Sequence, residues 1–313
     1  MKGKSITNIV GVIVTYNRKE LLAKNLISLK NQKRHLDKVY IVDNNSSDDT
    51  KAYLIENGLL DEYIDYCYLP ENIGGAGGFY TGMRHAYEDG FEWIYLMDDD
   101  GRPYNNETIS NMLMKIENMG ISSKDKYIVN SLVICDDNTL TFRNKHYKTI
   151  ESILTIANNG IIENKTQLFN GSLFSRGLIK EIGFPNKDFF IKGDEVDYRR
   201  RSVKANARLF TVTDSLYYHP EAPETRLKLF GIKEYHICIE SPWKEYYTVR
   251  NSTYSILHNE PTILGKIKAM LFYWKRVISV KKINAENKTE ILKMMKKGFA
   301  DGRFNRLGPT VRP

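Results

Sequence analysis

The sequence predicts an α/β protein with a Rossmann-like, doubly wound and mostly parallel central sheet, followed by a helical, basic C-terminal appendage. Three observations carry this. Short apolar, β-branched runs alternate with amphipathic stretches from Asn8 to Met119. The unusual polar and glycine-rich segments fall directly after those runs, where open α/β sheets bind ligands. From Trp243 onward the apolar spacing is helical, and lysine is frequent.

Asn8 to Thr15 (NIVGVIVT) is a continuous run suited to a strand covered on both faces, and Arg18 to Lys30 follows with Leu21, Leu22, Leu26 and Leu29 at helical spacing. Lys38 to Val42 is a second strand, and Asp48 to Asn57 is a helix closed by Gly58. Asp65 to Leu69 and Trp93 to Met97 are two further strands, with a helix from about Gly78 to Asp89 between them. Beyond Asn106 a helix is expected over Glu107 to Met119 and a strand over Tyr127 to Ile134, then a loop-rich stretch to about Tyr235. The division expected is 1–105, 106–235 and 236–313.

The chain of 313 residues is 42% hydrophobic and 27% charged, a balance that allows a sizeable core. Its formal net charge of +8 invites a nucleic-acid reading, but the charge is not spread evenly. Pro261 to Pro313 carries +10, and the preceding residues together carry −2. The basic excess is therefore absent from the part that holds the acidic motifs, and no nucleic-acid motif appears. Cys67, Cys135 and Cys238 form no CxxC pair, which excludes a zinc knuckle and a disulfide framework. The short apolar run after the basic start reads as a buried strand, not as a signal peptide, and no run is long enough to span a bilayer.

Asp98-Asp99-Asp100 closes the strand WIYLM. Adjacent acids repel unless a cation sits among them, and hard oxygen ligands suit Mg²⁺ or Mn²⁺. Alternation along a strand lets Asp98 and Asp100 turn to one ion while Asp99 turns elsewhere; the alternative is a solvated acidic turn. Glu71 to Gly78 (ENIGGAGG) follows a strand and precedes a helix, so its backbone N–H groups either approach phosphates closely or form a plain turn. It matches neither GxxxxGK[ST] nor GxGxxG. Asp43-Asn44-Asn45-Ser46-Ser47-Asp48 is either helix-capping chemistry or a base- and ribose-binding rim. Asp194, Glu195 and Asp197 before Arg199-Arg200-Arg201 read on their own as a salt-bridged helix start, and a lone His219 as structural. Trp243, Tyr246, Tyr247 and Arg250 offer flat faces to a sugar ring or, equally, form a core helix. Ile263 to Ile278 is an amphipathic helix with Lys266, Lys268, Lys275 and Arg276 interspersed, which either lies in a membrane interface or packs on the core.

VTYNR, IVDNNSSDDT, LPENIGGAGGF and LMDDDG, in this order, resemble the inverting family 2 glycosyltransferases of the GT-A fold, over roughly Asn8 to Tyr218. With Phe190 to Tyr198 (FIKGDEVDY), the pattern is most similar to bacterial galactofuranosyltransferases and the related rhamnosyltransferases. The resemblance implies a nucleotide-sugar-binding half at 1–105 and an acceptor-binding half at 106–235; 236–313, beyond it, is expected from its own spacing and charge to be helical and either membrane-associating or packed on the core. It places Thr15, Tyr16, Asn17, Arg18, Asp43, Asn44, Asn72, Gly74 and Gly75 on the donor, with Asp99 near its sugar. Asp98, Asp100 and His219 become ligands of Mn²⁺ or Mg²⁺, Glu195 the catalytic base and Asp194 a ligand of the acceptor hydroxyls. Trp243, Tyr247 and Arg250 are acceptor candidates. Gly193 departs from the galactofuranosyl branch, which usually has tryptophan there. The implied activity is transfer of galactofuranose from its UDP donor, or of rhamnose from its dTDP donor, to a lipid-linked surface glycan on the inner face of the cell membrane. A metal-dependent nucleic-acid enzyme and a non-catalytic glycan-binding protein are the readings from other classes.

Overall fold

The computed structural model describes residues 8–135, 139–141, 147–221, 225–229, 233–283 and 287–312. The reading of residues 1–7 lies outside them. In chain order the elements are β1 (Ile9–Thr15), α1 (Lys19–Lys30), β2 (Lys38–Asp43), α2 (Thr50–Glu56), β3 (Ile64–Tyr68), α3 (Gly74–Glu88), β4 (Trp93–Asp98), β5 (Arg102–Pro103), α4 (Thr108–Asn118), β6 (Tyr127–Ile134), α5 (Ile150–Leu154), β7 (Ile161–Glu163), β8 (Asn170–Ser175), α6 (Arg176–Ile182), α7 (Asp194–Lys204), β9 (Arg208–Tyr218), β10 (Thr225–Leu229), β11 (Lys233–Ile237), α8 (Pro242–Asn259), α9 (Ile263–Lys282) and α10 (Lys288–Arg303), with a short 3-10 turn at Lys187–Phe189. The chain divides into two compact units, one of Met1–Asn72, Gly78–Phe184 and Ser202–Glu221, the other of Ile73–Gly77, Pro185–Arg201 and Ala222–Pro313.

The first unit is built on a mixed sheet of order β3-β2-β1-β4-β8-β6-β9-β5, with β7 also paired to β9. β1 to β4 are mutually parallel, β8 runs against both β4 and β6, and β6 and β9 are parallel to each other. The four parallel strands end on one edge, and the register sets Thr15 beside Asp43 and Val14 beside Asp98. Every residue of β1 is buried, as its unbroken apolar run requires. The helix after β3 begins at Gly74, not at Gly78, so the glycines form its first turns. A Cβ on Gly78 would stand 2.4 Å from Val14 Cγ1, so only glycine lets α3 approach β1 this closely.

The stretch expected to be loop-rich contains β8 and the eleven-residue β9, both interior strands of the sheet. β8 is buried throughout although its sequence is NGSLFS. Several of its polar groups are met inside the sheet: Ser172 Oγ donates to Asn130 Oδ1 at 3.1 Å, and Asn130 Nδ2 donates to the Asn170 backbone carbonyl at 3.2 Å. Satisfied in this way, hydroxyls and amides tolerate burial that sequence polarity argues against.

In the second unit, α8, α9 and α10 pack through Val249, Val277, Val280, Ile291 and Met295. Arg276 turns inward from α9. Its Nε and one terminal nitrogen each donate to the Glu245 carboxylate at 2.6 Å, and that terminal nitrogen also donates to the Cys238 carbonyl at 2.8 Å. Glu245 is fully buried. Arg276→Met is expected to cost about 3–5 kcal/mol by stranding that carboxylate. Adding Glu245→Leu should recover most of the loss, as denaturant unfolding of the single and double variants would show. No described helix is long and apolar enough to cross a membrane.

Candidate active site

The carboxyl edge of β1, β2 and β4 gathers most of the first unit's candidate residues. β4 delivers Asp98 at its last position, and the chain turns immediately after it, so the next two acids leave in different directions. Asp99 is 5% exposed and bonded to its neighbours: Thr15 Oγ1 donates to it at 2.9 Å and Arg18 at 3.1 Å. Burial pushes its carboxyl up to about 6; Arg18 pulls it down, and Asp100 adds to the rise. The same Arg18 nitrogen reaches Asp100 at 2.9 Å.

Asp98, Asp100 and His219 form the other cluster, with one ligand atom from each within 4.8 Å of the others. His219 follows the last residue of β9 and is anchored by its backbone N–H on the Ile134 carbonyl and by Thr141 Oγ1, which donates to its carbonyl. Its Nδ1 lies 2.8 Å from the Pro220 carbonyl, which only accepts, so Nδ1 carries the hydrogen. Nε2 then faces Asp100 Oδ1 at 3.4 Å. That oxygen is buried without a hydrogen bond of good geometry among the described residues. The imidazole Nε2 and the carboxylate oxygen are thus turned toward each other. Two carboxylates and an imidazole oriented through its second nitrogen therefore fit a divalent cation such as Mn²⁺ or Mg²⁺.

Tyr217 is the residue here that the sequence did not single out. Wholly buried on β9, its hydroxyl has no hydrogen-bond partner among the described residues. Burial raises its pKa well above the usual value, and Tyr95 and the charges of Asp98, Asp100 and Asp99 raise it further, so the phenol stays protonated. The signal available was its position in LYYH, two residues before His219.

The donor-side candidates are held in a tight loop pair. Asn17, at φ +53, receives Ser46 Oγ as acceptor on its N–H at 2.9 Å, while its Oδ1 accepts from Ser47 N–H at 2.7 Å. Asp43 is 1% exposed, with the Ser46 N–H donating to Oδ1 at 2.7 Å and the Tyr66 hydroxyl donating to Oδ2. Asn44 is likewise buried, its N–H on the Thr15 carbonyl, whereas Tyr16 is 45% exposed. Asn72 is the last residue of this stretch of the first unit, at the end of the segment that follows β3.

The second unit holds the remaining candidates. Asp194 and Glu195 open α7 directly after Lys192 and Gly193, at φ +64 and +85. Asp194 is buried; Glu195 is half-buried and its Oε2 accepts the Gly193 N–H at 3.1 Å. Asp197 is structural, accepting from Ser255 Oγ at 2.7 Å, Asn259 Nδ2 at 3.0 Å and Arg201 Nε at 2.9 Å. The bends ahead of the acids are fixed by Asn251, missed from sequence, whose Nδ2 donates to the carbonyls of Phe189, Ile191 and Lys192. Arg250 is fully buried and donates to the carbonyls of Asp188 and Phe189 and to Thr310 Oγ1. Tyr247, also fully buried, donates to the Val311 carbonyl at 2.7 Å. These two expected acceptor residues therefore offer no surface to a sugar; they are core residues that brace the acid-bearing loop. Trp243 is half-buried, edge-on to Tyr247.

Gly74 and Gly75 start α3. Gly74, at φ +76, would bring a Cβ to 2.0 Å from the Phe190 carbonyl oxygen, which accepts the Ala76 N–H; nothing stands within 4 Å of a Cβ on Gly75. Gly74→Ala is expected to destabilise by at least about 1–3 kcal/mol from overpacking and left-handed strain, while Gly75→Ala leaves the melting temperature nearly unchanged. Thermal unfolding of the two variants distinguishes them.

A mixed α/β sheet of this order, carrying an acid-x-acid pair beside a histidine at its binding edge, defines a GT-A glycosyltransferase. Solved structures share the fold. TarS of S. aureus (residues 1-349) is 15% identical with a TM-score of 0.58, the match covering 95% of this chain and 81% of that one. Mannosyltransferase PcManGT from Pyrobaculum calidifontis, solved with GDP-Man and Mn²⁺, is 12% identical with a TM-score of 0.53, covering 96% and 86%. Galactofuranosyltransferase GlfT1 of Mycobacterium tuberculosis (strain CDC 1551 / Oshkosh) is 30% identical over 253 residues, 79% of this chain and 81% of the relative. Residues 12–183 match the profile of Glycosyl transferase family 2, and the chain belongs to that family.

Proposed function

We propose that the chain is a metal-dependent, inverting galactofuranosyltransferase that takes its sugar from UDP-galactofuranose and adds it to a lipid-carried bacterial surface glycan at the inner face of the cell membrane. The observation that carries the donor is the 30% identity to a galactofuranosyltransferase over 79% of the chain. Asp98, Asp100 and His219 would hold Mn²⁺ or Mg²⁺, which as a Lewis acid neutralises the charge of the departing diphosphate.

The chain's own groups do the rest. Thr15 to Arg18, Asp43, Asn44, Asn72, Gly74 and Gly75 bind the nucleotide-sugar, with Arg18 and Thr15 fixing Asp99 beside its sugar. Asp194 orients the acceptor hydroxyls, and Glu195 takes the proton of the attacking one. One base and one displacement on the face opposite the leaving group give inversion. Trp243 packs against an acceptor ring. Purified protein assayed with UDP-galactofuranose and with dTDP-rhamnose on the same glycan acceptor tests the reading. Turnover with the first donor is expected; turnover with the second alone would transfer the assignment to a rhamnosyltransferase, and turnover with neither would refute it.

A further inference from the structure

α9 leaves one apolar face uncovered. Ile263, Leu264, Ile267, Met270, Leu271 and Trp274 are between 43% and 77% exposed. Their spacing of three and four residues places all six on one side of the helix. Its other side is committed to the fold: Ala269 and Val280 are buried, and Tyr273 packs tilted against Phe299 with ring centroids 4.6 Å apart. An exposed apolar stripe of this length on a folded protein marks a contact surface.

The charges say what it contacts. At about 100° per residue, Lys266 falls on one border of the stripe and Lys268 and Lys275 on the other. All three are exposed, as are Lys281 and Lys282 in the last turn. From Ile263 to Lys282 the helix contains no acidic residue. Glu260, just before it, is paired with Lys268 at 2.7 Å. Arg276, the cation that points inward, is neutralised by Glu245. A protein partner would have to match both a wide apolar strip and cations along its borders; an anionic bilayer presents both at once, acyl chains below and phosphates at the level of the lysine ammonium groups.

We infer that α9 is a docking helix which lies in the plane of an anionic lipid surface, with Leu264, Leu271 and Trp274 in the acyl boundary and Lys266, Lys268 and Lys275 at the headgroups. The inference deepens the proposed action on a lipid-carried acceptor by naming the surface that brings the enzyme to it. Its evidence is the helix itself.

The test is co-sedimentation of the full chain with phosphatidylglycerol and with phosphatidylcholine vesicles, neither containing an acceptor. Binding to the anionic vesicles is expected to be at least about tenfold tighter and to weaken with added salt. Leu271→Glu with Trp274→Glu should lower it at least about tenfold further, with an unchanged melting temperature because both side chains are exposed. Equal partitioning of native and variant protein would overturn the inference. So would a native oligomer in lipid-free sedimentation that the substitutions disperse without affecting vesicle binding, which would make the face an interface between copies. Transfer to a water-soluble acceptor is expected to survive in the variant. Vesicle binding without any transfer would refute the proposed activity and leave the docking helix standing.

Discussion

Glu195→Gln is expected to lower sugar transfer by about 10²–10⁴-fold, the usual contribution of a positioned general base, while leaving the Kd for UDP unchanged. The substitution preserves shape and keeps an oxygen able to accept the Gly193 N–H, so the start of α7 is maintained. A loss caused by misfolding would also lower the melting temperature and weaken nucleotide binding. A loss of proton acceptance lowers kcat alone. Asp194→Asn is the comparison: as an acceptor-orienting residue it should raise KM for the acceptor more than it lowers kcat. Full turnover in Glu195→Gln would remove the base assignment, and the half-buried carboxylate would be left with its capping role only.

Asp100→Asn is expected to weaken Mn²⁺ binding measured by calorimetry at least about tenfold and to reduce turnover about 10²–10³-fold, since Lewis-acid stabilisation of a departing diphosphate amounts to several kcal/mol. Asp100 is the more informative of the two proposed carboxylate ligands. Its Oδ1 faces His219 Nε2, and its Oδ2 accepts from Arg18. The amide removes the charge and keeps the volume. UDP should then bind with nearly the same affinity with or without Mn²⁺, whereas in the native protein the metal is expected to tighten it. Metal dependence that persisted in the variant would place the ion elsewhere.

How much of this was legible in the sequence depended on whether the relevant physics was local. β1, β2, β4 and β6 announced themselves because strands covered on both faces are written as continuous apolar runs. Asp98 to Asp100 were legible for a related reason: three adjacent acids at the end of such a run need an explanation within their own neighbourhood. β8 was not legible, because the hydroxyls of Ser172 and Ser175 are satisfied by partners distant in sequence, among them Asn130 and the Asp125 carbonyl. The helical start at Gly74 was hidden for the opposite reason. Four glycines read as a turn until the opposing Val14 and Phe190 are known. Tyr247 and Arg250 show the limit for function: an aromatic beside a cation has the same spelling whether it faces a ligand or, as here, packs on Phe190 and bonds the Phe189 carbonyl in the loop ahead of Asp194 and Glu195.

The insertion of β8 between β4 and β6 has a consequence for how the molecule is made. During synthesis β1 to β4 can assemble as soon as they emerge, yet β4 then ends the sheet with the backbone of WIYLM unpaired along one side. That edge stays bare until residues 170–175 arrive to pair with it, more than seventy residues later. A long apolar edge waiting for a distant partner is where strands of separate chains join. Residues 1–105 by themselves would form an open sheet, and the pairing of β8 with β4 is what closes that edge.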